Sequence, residues 1–218
     1  LLVHFLTLFD STKTTQRVLE KTELRCISIF QLLAGLVAKL PNTAVVTAVI
    51  QPSVLVHFLA LPTVPVPVLV EAMRLGAALA PAQTPARTSY AQQLAKEKAL
   101  LLIRMQLPRC AASVDVVYAL VGLMTGQAVP ANLPPAFEQF AKTPLAAAAV
   151  QSPEYVAAFV RLLRLQVTAV EQERTPAAVE LATFTGNVLH HYARRPDVFP
   201  VLLAESLTDS ISVLVGNA

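Results

Sequence analysis

Tryptophan is absent from this 218-residue chain, glycine occurs only six times, cysteine twice, and charged residues make up 14% of the sequence. Each scarcity excludes something. Six glycines leave little material for the tight turns that cradle phosphates, and the chain has no glycine-rich phosphate loop, no GxSxG elbow and no HExxH pair. Cys26 and Cys110 stand 84 residues apart with no metal-ligand spacing around either, so both read as buried free thiols. The histidines His4, His57, His190 and His191 form no HxxxH pair and join no carboxylate cluster. No catalytic, cofactor-binding or metal-binding residue is assigned, and the chain is not expected to be an enzyme or to take a small-molecule substrate.

Long uninterrupted apolar runs are missing too, although 55% of the residues are hydrophobic and the mean hydropathy is +0.57. A spanning helix needs about 20 apolar residues in a row. The run Cys26–Ala38 is 13 residues long before Lys39 and Pro41 end it, and Ser53–Val70, 18 long, is cut by Pro62, Pro65 and Pro67. Neither is a transmembrane segment; both have the length of buried helices. The apolar opening has no basic lead and no methionine, as expected of a processed precursor or a fragment rather than an intact signal peptide. Abundant apolar residues with a formal charge of +3 also exclude a disordered chain. Low cysteine usage fits a reducing compartment, so an intracellular setting is expected, whether cytosol, a cytoskeletal or ciliary assembly, or an organelle matrix.

What is present repeats. Leu1–Leu8 matches Val54–Leu61 at an offset of 53, with six of eight positions identical, and weaker echoes follow at Leu101–Leu107 and Phe159–Leu165. Each copy precedes a break and then a second apolar helix. Those following helices align on an acid, Glu71, Asp115 or Glu180, placed in the first turn where it suits the helix dipole, and carry a small residue, Ala77, Gly122 or Gly186, near the end. The sixteen prolines fall at seams: Pro41, Pro52, Pro81, Pro108, Pro176 and Pro196 sit where a helix begins or ends. Ser152-Pro153 and Thr175-Pro176 place a capping hydroxyl before a proline in the first helical position. Gly126–Pro135 reads as the strongest loop, and the Ala-rich segments 143–150 and 177–182 favour helix.

Residues 42–81 read as a short helix at Asn42–Gln51, a second at Pro52–Leu61, a Pro-rich turn and a third helix at Val68–Ala80. On this triplet the chain resembles an armadillo repeat, and the stretch 152–218 is similar, with a second helix at 153–172 and a third at 176–194. The resemblance implies an all-α, right-handed α-solenoid of four to five units, incomplete at both ends: 1–40, 42–81, a divergent unit 88–127, a long unit 130–195 and 196–218. An ordinary helical bundle is the plainer alternative.

Such a solenoid leaves the face of its third helices free for a partner. Armadillo proteins that carry nuclear-import signals grip peptides with Trp and Asn ladders. Here the Trp-like positions are Leu32, Arg74, Tyr118 and Thr183, the Asn-like ones Leu36, Ala78, Gly122 and Asn187, and only Asn187 matches. Candidate partner-binding residues are therefore Arg74, Tyr118 and Asn187, the basic helix end His190, Arg194 and Arg195, and the pair Arg161 and Arg164. For the basic helix end, dipole complementarity is the preferred account over an acidic partner or a phosphate. His4 and His57 are expected to pack at the seam between units, and Lys96-Glu97-Lys98 to be a solvated face. Nucleic acid has a weak case at a net charge of +3. Apolar ends, Leu1–Leu6 and Ile211–Val215, lead to the expectation of neighbouring chains that cover them. Three functions follow: a scaffold subunit of a larger protein assembly, an adaptor holding an extended peptide or acidic partner on the third-helix face, or a helical accessory subunit of a membrane-associated complex.

Overall fold

A computed structural model of the chain describes residues 1–12, 14–40, 43–84, 88–110, 113–125, 153–173, 175–193, 196 and 199–204. The loop Gly126–Pro135, the segment 143–150, Ser152, Arg194, Arg195 and the end Ile211–Val215 lie outside these residues.

The described chain is all-α. Prolines and two capping side chains set several of its helix starts. In order the helices are α1 (Leu2–Asp10), α2 (Gln16–Lys39), α3 (Ala44–Val49), α4 (Pro52–Ala60), α5 (Val66–Leu79), α6 (Tyr90–Lys96), α7 (Ala99–Arg104), a 3-10 turn at Leu107–Cys110, α8 (Val114–Thr125), α9 (Pro153–Glu173), α10 (Pro176–Ala193) and α11 (Phe199–Ala204). Pro52, Pro153 and Pro176 each occupy the first position of a helix, where a missing N–H costs nothing. The Thr175 hydroxyl accepts from Ala178 N at 3.3 Å and caps α10 as its sequence predicts. A capping box at Ser89 and Gln92 starts α6, with both reciprocal bonds formed, at 2.9 and 3.2 Å.

Helices of like position pack on one another in chain order. One row is α1 on α4, α4 on α7 and α7 on α9; the other is α2 on α5 and α5 on α8, continued to α10 by the ring contact of Tyr118 with Phe184. Within a pair, α1 packs on α2, α4 on α5 and α9 on α10. The short helices fill the seams, α3 against α2, α6 against α4, α5 and α7, and α11 against α9 and α10. One continuous apolar core runs through both rows from Phe5 to Leu202. The matched octapeptides become α1 and α4, with Phe5 and Phe58 both buried at the shared position.

His4 and His57 do not pack at a seam. Both are exposed, and the His57 ring binds its own helix, Nδ1 donating to the Ser53 carbonyl at 2.6 Å. The reason is helical periodicity: at about 100° per residue, Leu55, Val56, Phe58 and Leu59 define the inward side of α4 and place His57 opposite it, and Phe5 and Phe9 leave His4 outside the inward side of α1. Two acids are likewise shifted. Because α5 begins at Val66 and α10 at Pro176, Glu71 and Glu180 stand beyond the first turn, and only Asp115 is placed to complement a helix N-terminus.

The joint between α4 and the segment that follows α7 is tied by polar side chains. Buried Gln106, just past α7, donates to the Leu59 carbonyl at the end of α4; Arg109 donates to the Pro62 carbonyl and, at 2.7 Å, to Gln106 Oε1. These bonds satisfy carbonyls that a helix end leaves unpaired.

Two buried groups yield measurable consequences. The Tyr90 hydroxyl is fully buried with no hydrogen-bond partner, and burial raises its pKa. An unpaired buried hydroxyl costs about 1–3 kcal/mol, so Tyr90→Phe is expected to stabilise the chain by about 1 kcal/mol, read as a higher urea midpoint. Cys26 is a free thiol, fully buried on α2, and burial pushes it from 9.0 up to about 12. The folded thiol therefore stays protonated when the unfolded one ionises. Its contribution to stability is complete below pH 9 and is lost as pH rises toward 12, at about 1.4 kcal/mol per pH unit. A Cys26→Ala variant should show a correspondingly flatter alkaline limb in urea titrations between these pH values.

Candidate interaction surface

The outward side of the long-helix row, formed by α2, α5, α8 and α10, each of about three turns or more, gathers several of the residues singled out by sequence. On α5, Arg74 is exposed and held from two sides: its guanidinium donates to Glu71 Oε1 at 2.7 Å on the same helix and to Asp115 Oδ1 at 3.4 Å on α8. Spacing explains the first contact, since residues three apart share a helix face. The second joins neighbouring long helices. The Asp115 side chain remains 73% exposed, so this bond is worth little in stability and mainly sets where the charges stand.

One turn further along α8, Tyr118 lies against Phe184 of α10, ring centroids 4.0 Å apart and tilted by 46°. Partial burial raises the Tyr118 pKa, and the nearby Glu180 carboxylate raises it further. The neutral phenol is thus favoured beside an acid. From Glu180 an exposed polar stripe runs along α10 through Thr183, Asn187 and His190 at spacings of three and four residues.

Arg74, Tyr118 and Asn187 therefore stand on three successive helices of one row, with His190 beyond them. Arg161 and Arg164 do not join them. Both are exposed on α9, which belongs to the other row. Arg194 and Arg195 lie outside the described residues. On the part of this face formed by α5, α8 and α10 the described fixed charges are Glu71, Asp115 and Glu180 against Arg74, which leaves Arg74 already neutralised and little there to attract an acidic partner.

Two elements of this surface escaped sequence reasoning. Phe184 is buried under Tyr118, a contact between helices 66 residues apart that no local pattern announces. The tight helix crossing is at Gly76, not at the aligned small residues alone: a Cβ there would lie 2.8 Å from Leu123 Cδ1 and 3.0 Å from Leu55 Cδ2, whereas one on Gly186 would meet nothing within 4 Å. A glycine inside an apolar helix with leucines one pair away was the available signal.

The surface offers hydrogen-bonding groups, one stacked aromatic pair and fixed charges. No group of three or more His, Cys, Asp or Glu among the described residues could hold a metal ion. Nor is any described helix long and apolar enough to cross a membrane. In comparisons with known proteins the chain matches no family model, no curated protein and no solved structure, so its function is argued from its own geometry.

Proposed function

We propose that this chain is a non-catalytic scaffold, an armadillo-like α-solenoid that presents the outer face of its long helices to other protein chains within a larger assembly. The observation that carries the reading is the packing order. Helices of like position stack on one another along the chain in two rows, with short helices at the seams. Each pair then buries its apolar side only against its neighbours, and an extended face is left over as a consequence of the topology. The match between the octapeptides of α1 and α4, which pack on each other, supports repetition of one unit.

A partner on this face meets the polar stripe of α10 and the Tyr118 edge. Purification of the tagged full chain from its native source, followed by crosslinking mass spectrometry, tests this. The expected result is recurrent crosslinks to the same partner chains, abolished by Thr183→Arg with Asn187→Arg and retained with Arg161→Ala and Arg164→Ala. All four side chains are exposed, so neither double variant should alter the far-UV circular dichroism. Indifference of the crosslinks to the α10 substitutions would refute the assignment of this face.

A further inference from the structure

The outer side of α2 differs in character from the rest of the long-helix row. Of the thirteen exposed large hydrophobic residues among those described, nine lie between Leu1 and Val49, that is, on α1, α2, α3 and the adjoining positions. Leu24 and Leu32 on α2 are 65% and 63% exposed, and Val45 and Val49 on α3 are 66% and 60% exposed. These side chains stand out from the surface.

Cations share this side of α2, three of them in its first half around Leu24 and one at its end beyond Leu32 and Leu36. Arg17, Lys21 and Arg25 recur every four residues along α2, and all three are exposed, as is Lys39 at its end. At 3.6 residues per turn they share one outward sector with Leu24, Leu32 and Leu36, while Thr22, Cys26 and Phe30 point to the core. That sector contains no carboxylate; Glu20 and Glu23 fall on its far flank. None of the four cations forms an ion pair among the described residues, in contrast to Arg74, which has two carboxylates. Four unpaired positive charges and three exposed leucines thus lie along a helix about 36 Å long.

We propose that the outer face of α2, with the adjoining valines of α3, docks on an anionic lipid surface. Charge complementarity selects the partner's sign, and the dispersion of the apolar groups selects its nature. Leu24, Leu32 and Leu36 spread over about 18 Å of the helix, farther than one pocket of a folded partner reaches, but a bilayer interface accepts each of them along its plane. Lysine and arginine stems lie along the apolar layer and keep their heads at the level of the phosphates. An acidic protein would instead have to match four fixed cations one by one. The docking does not depend on the scaffold reading, since it uses only α2 and its neighbours.

Flotation of the full chain with vesicles tests it. Binding is expected to vesicles of phosphatidylcholine and phosphatidylserine at about 7:3, to fall at least tenfold on phosphatidylcholine alone, and to be released by about 0.5 M salt. Each cation near an anionic surface is worth about a fivefold change in partition, so loss of three would lower binding by about a hundredfold and their reversal by Arg17→Glu with Lys21→Glu and Arg25→Glu by more than that. Leu24→Ser with Leu32→Ser should release the chain while leaving its charge intact. Arg161→Glu with Arg164→Glu, exposed on the other row, should bind almost as the wild type does. Equal binding to both vesicle types, binding to neither, or equal loss with the α9 pair overturns the proposal. Retention on poly-glutamate without vesicle binding overturns it in favour of an acidic protein. The lipid comparison uses the wild-type chain, so the proposal can fail even if a charge-reversed variant does not fold.

Discussion

Replacement of Phe58 by alanine is expected to remove about 3–5 kcal/mol of stability, the range for a fully buried aromatic side chain. Phe58 has no exposed surface and sits on α4 where the two rows meet. Its ring stands edge-on to Phe30 of α2, centroids 5.1 Å apart and planes at 84°, the arrangement in which a positive ring edge meets a negative ring face. The truncation removes buried apolar surface, leaves a cavity and breaks the ring pair at once. For a chain of this size the melting temperature should fall by roughly 10 °C, at about 2–4 °C per kcal/mol. Phe30→Ala should cost a similar amount. In a double-mutant cycle the two should couple by about 0.5–1.5 kcal/mol, because each loses the same partner. Additive losses from the two variants would show that the rings do not meet.

Gly76 gives the second large effect, with the opposite logic. It is buried inside α5, where glycine costs about 1 kcal/mol relative to alanine, so something must oppose the gain that alanine would bring. The opposition comes from Leu123 of α8 and Leu55 of α4, whose methyl groups would lie at 2.8 and 3.0 Å from a new Cβ. Both are ends of flexible side chains and can give way by a few tenths of an ångström. Gly76→Ala is therefore expected within about 1 kcal/mol of the wild type, with the propensity gain offsetting the displacement. Gly76→Leu has no such escape: three helices converge there, and overpacking should cost about 3 kcal/mol and visibly separate α5 from α8. Urea unfolding of the two variants side by side distinguishes a steric limit from a propensity effect. A leucine variant as stable as the wild type would mean that α5 and α8 are not in contact at this point.

Much of this arrangement is legible in the sequence, and the reason is proline. Pro52, Pro153 and Pro176 announce helix starts because only the first turn tolerates a residue without an N–H, and the observed helices begin on them. The repeat of Leu1–Leu8 in Val54–Leu61 announces two equivalent helices, which do pack together. The length of α2 is not legible in the same way. The apolar run Cys26–Ala38 shows only its second half, because the first half, Gln16–Arg25, meets solvent along most of its circumference and carries charges instead of a hydrophobic period. The candidate surface is less legible still. Arg74, Tyr118 and Asn187 can be aligned by their positions on successive helices, but their actual partners, Asp115 and Phe184, belong to neighbouring helices, and such contacts are fixed by packing angle and rotamer rather than by spacing. The exposure of His4 and His57 is a simpler case: both fall outside the side defined, at helical period, by Phe5 and Phe9 on α1 and by Leu55, Val56, Phe58 and Leu59 on α4.

The most direct test of the scaffold reading is the size at which the full chain sediments in native extract. The account predicts a particle several times heavier than the 23.4 kDa chain, which loses mass when Thr183 and Asn187 are replaced by arginine. A single species at the mass of the free chain, folded and unchanged by those substitutions, would contradict it.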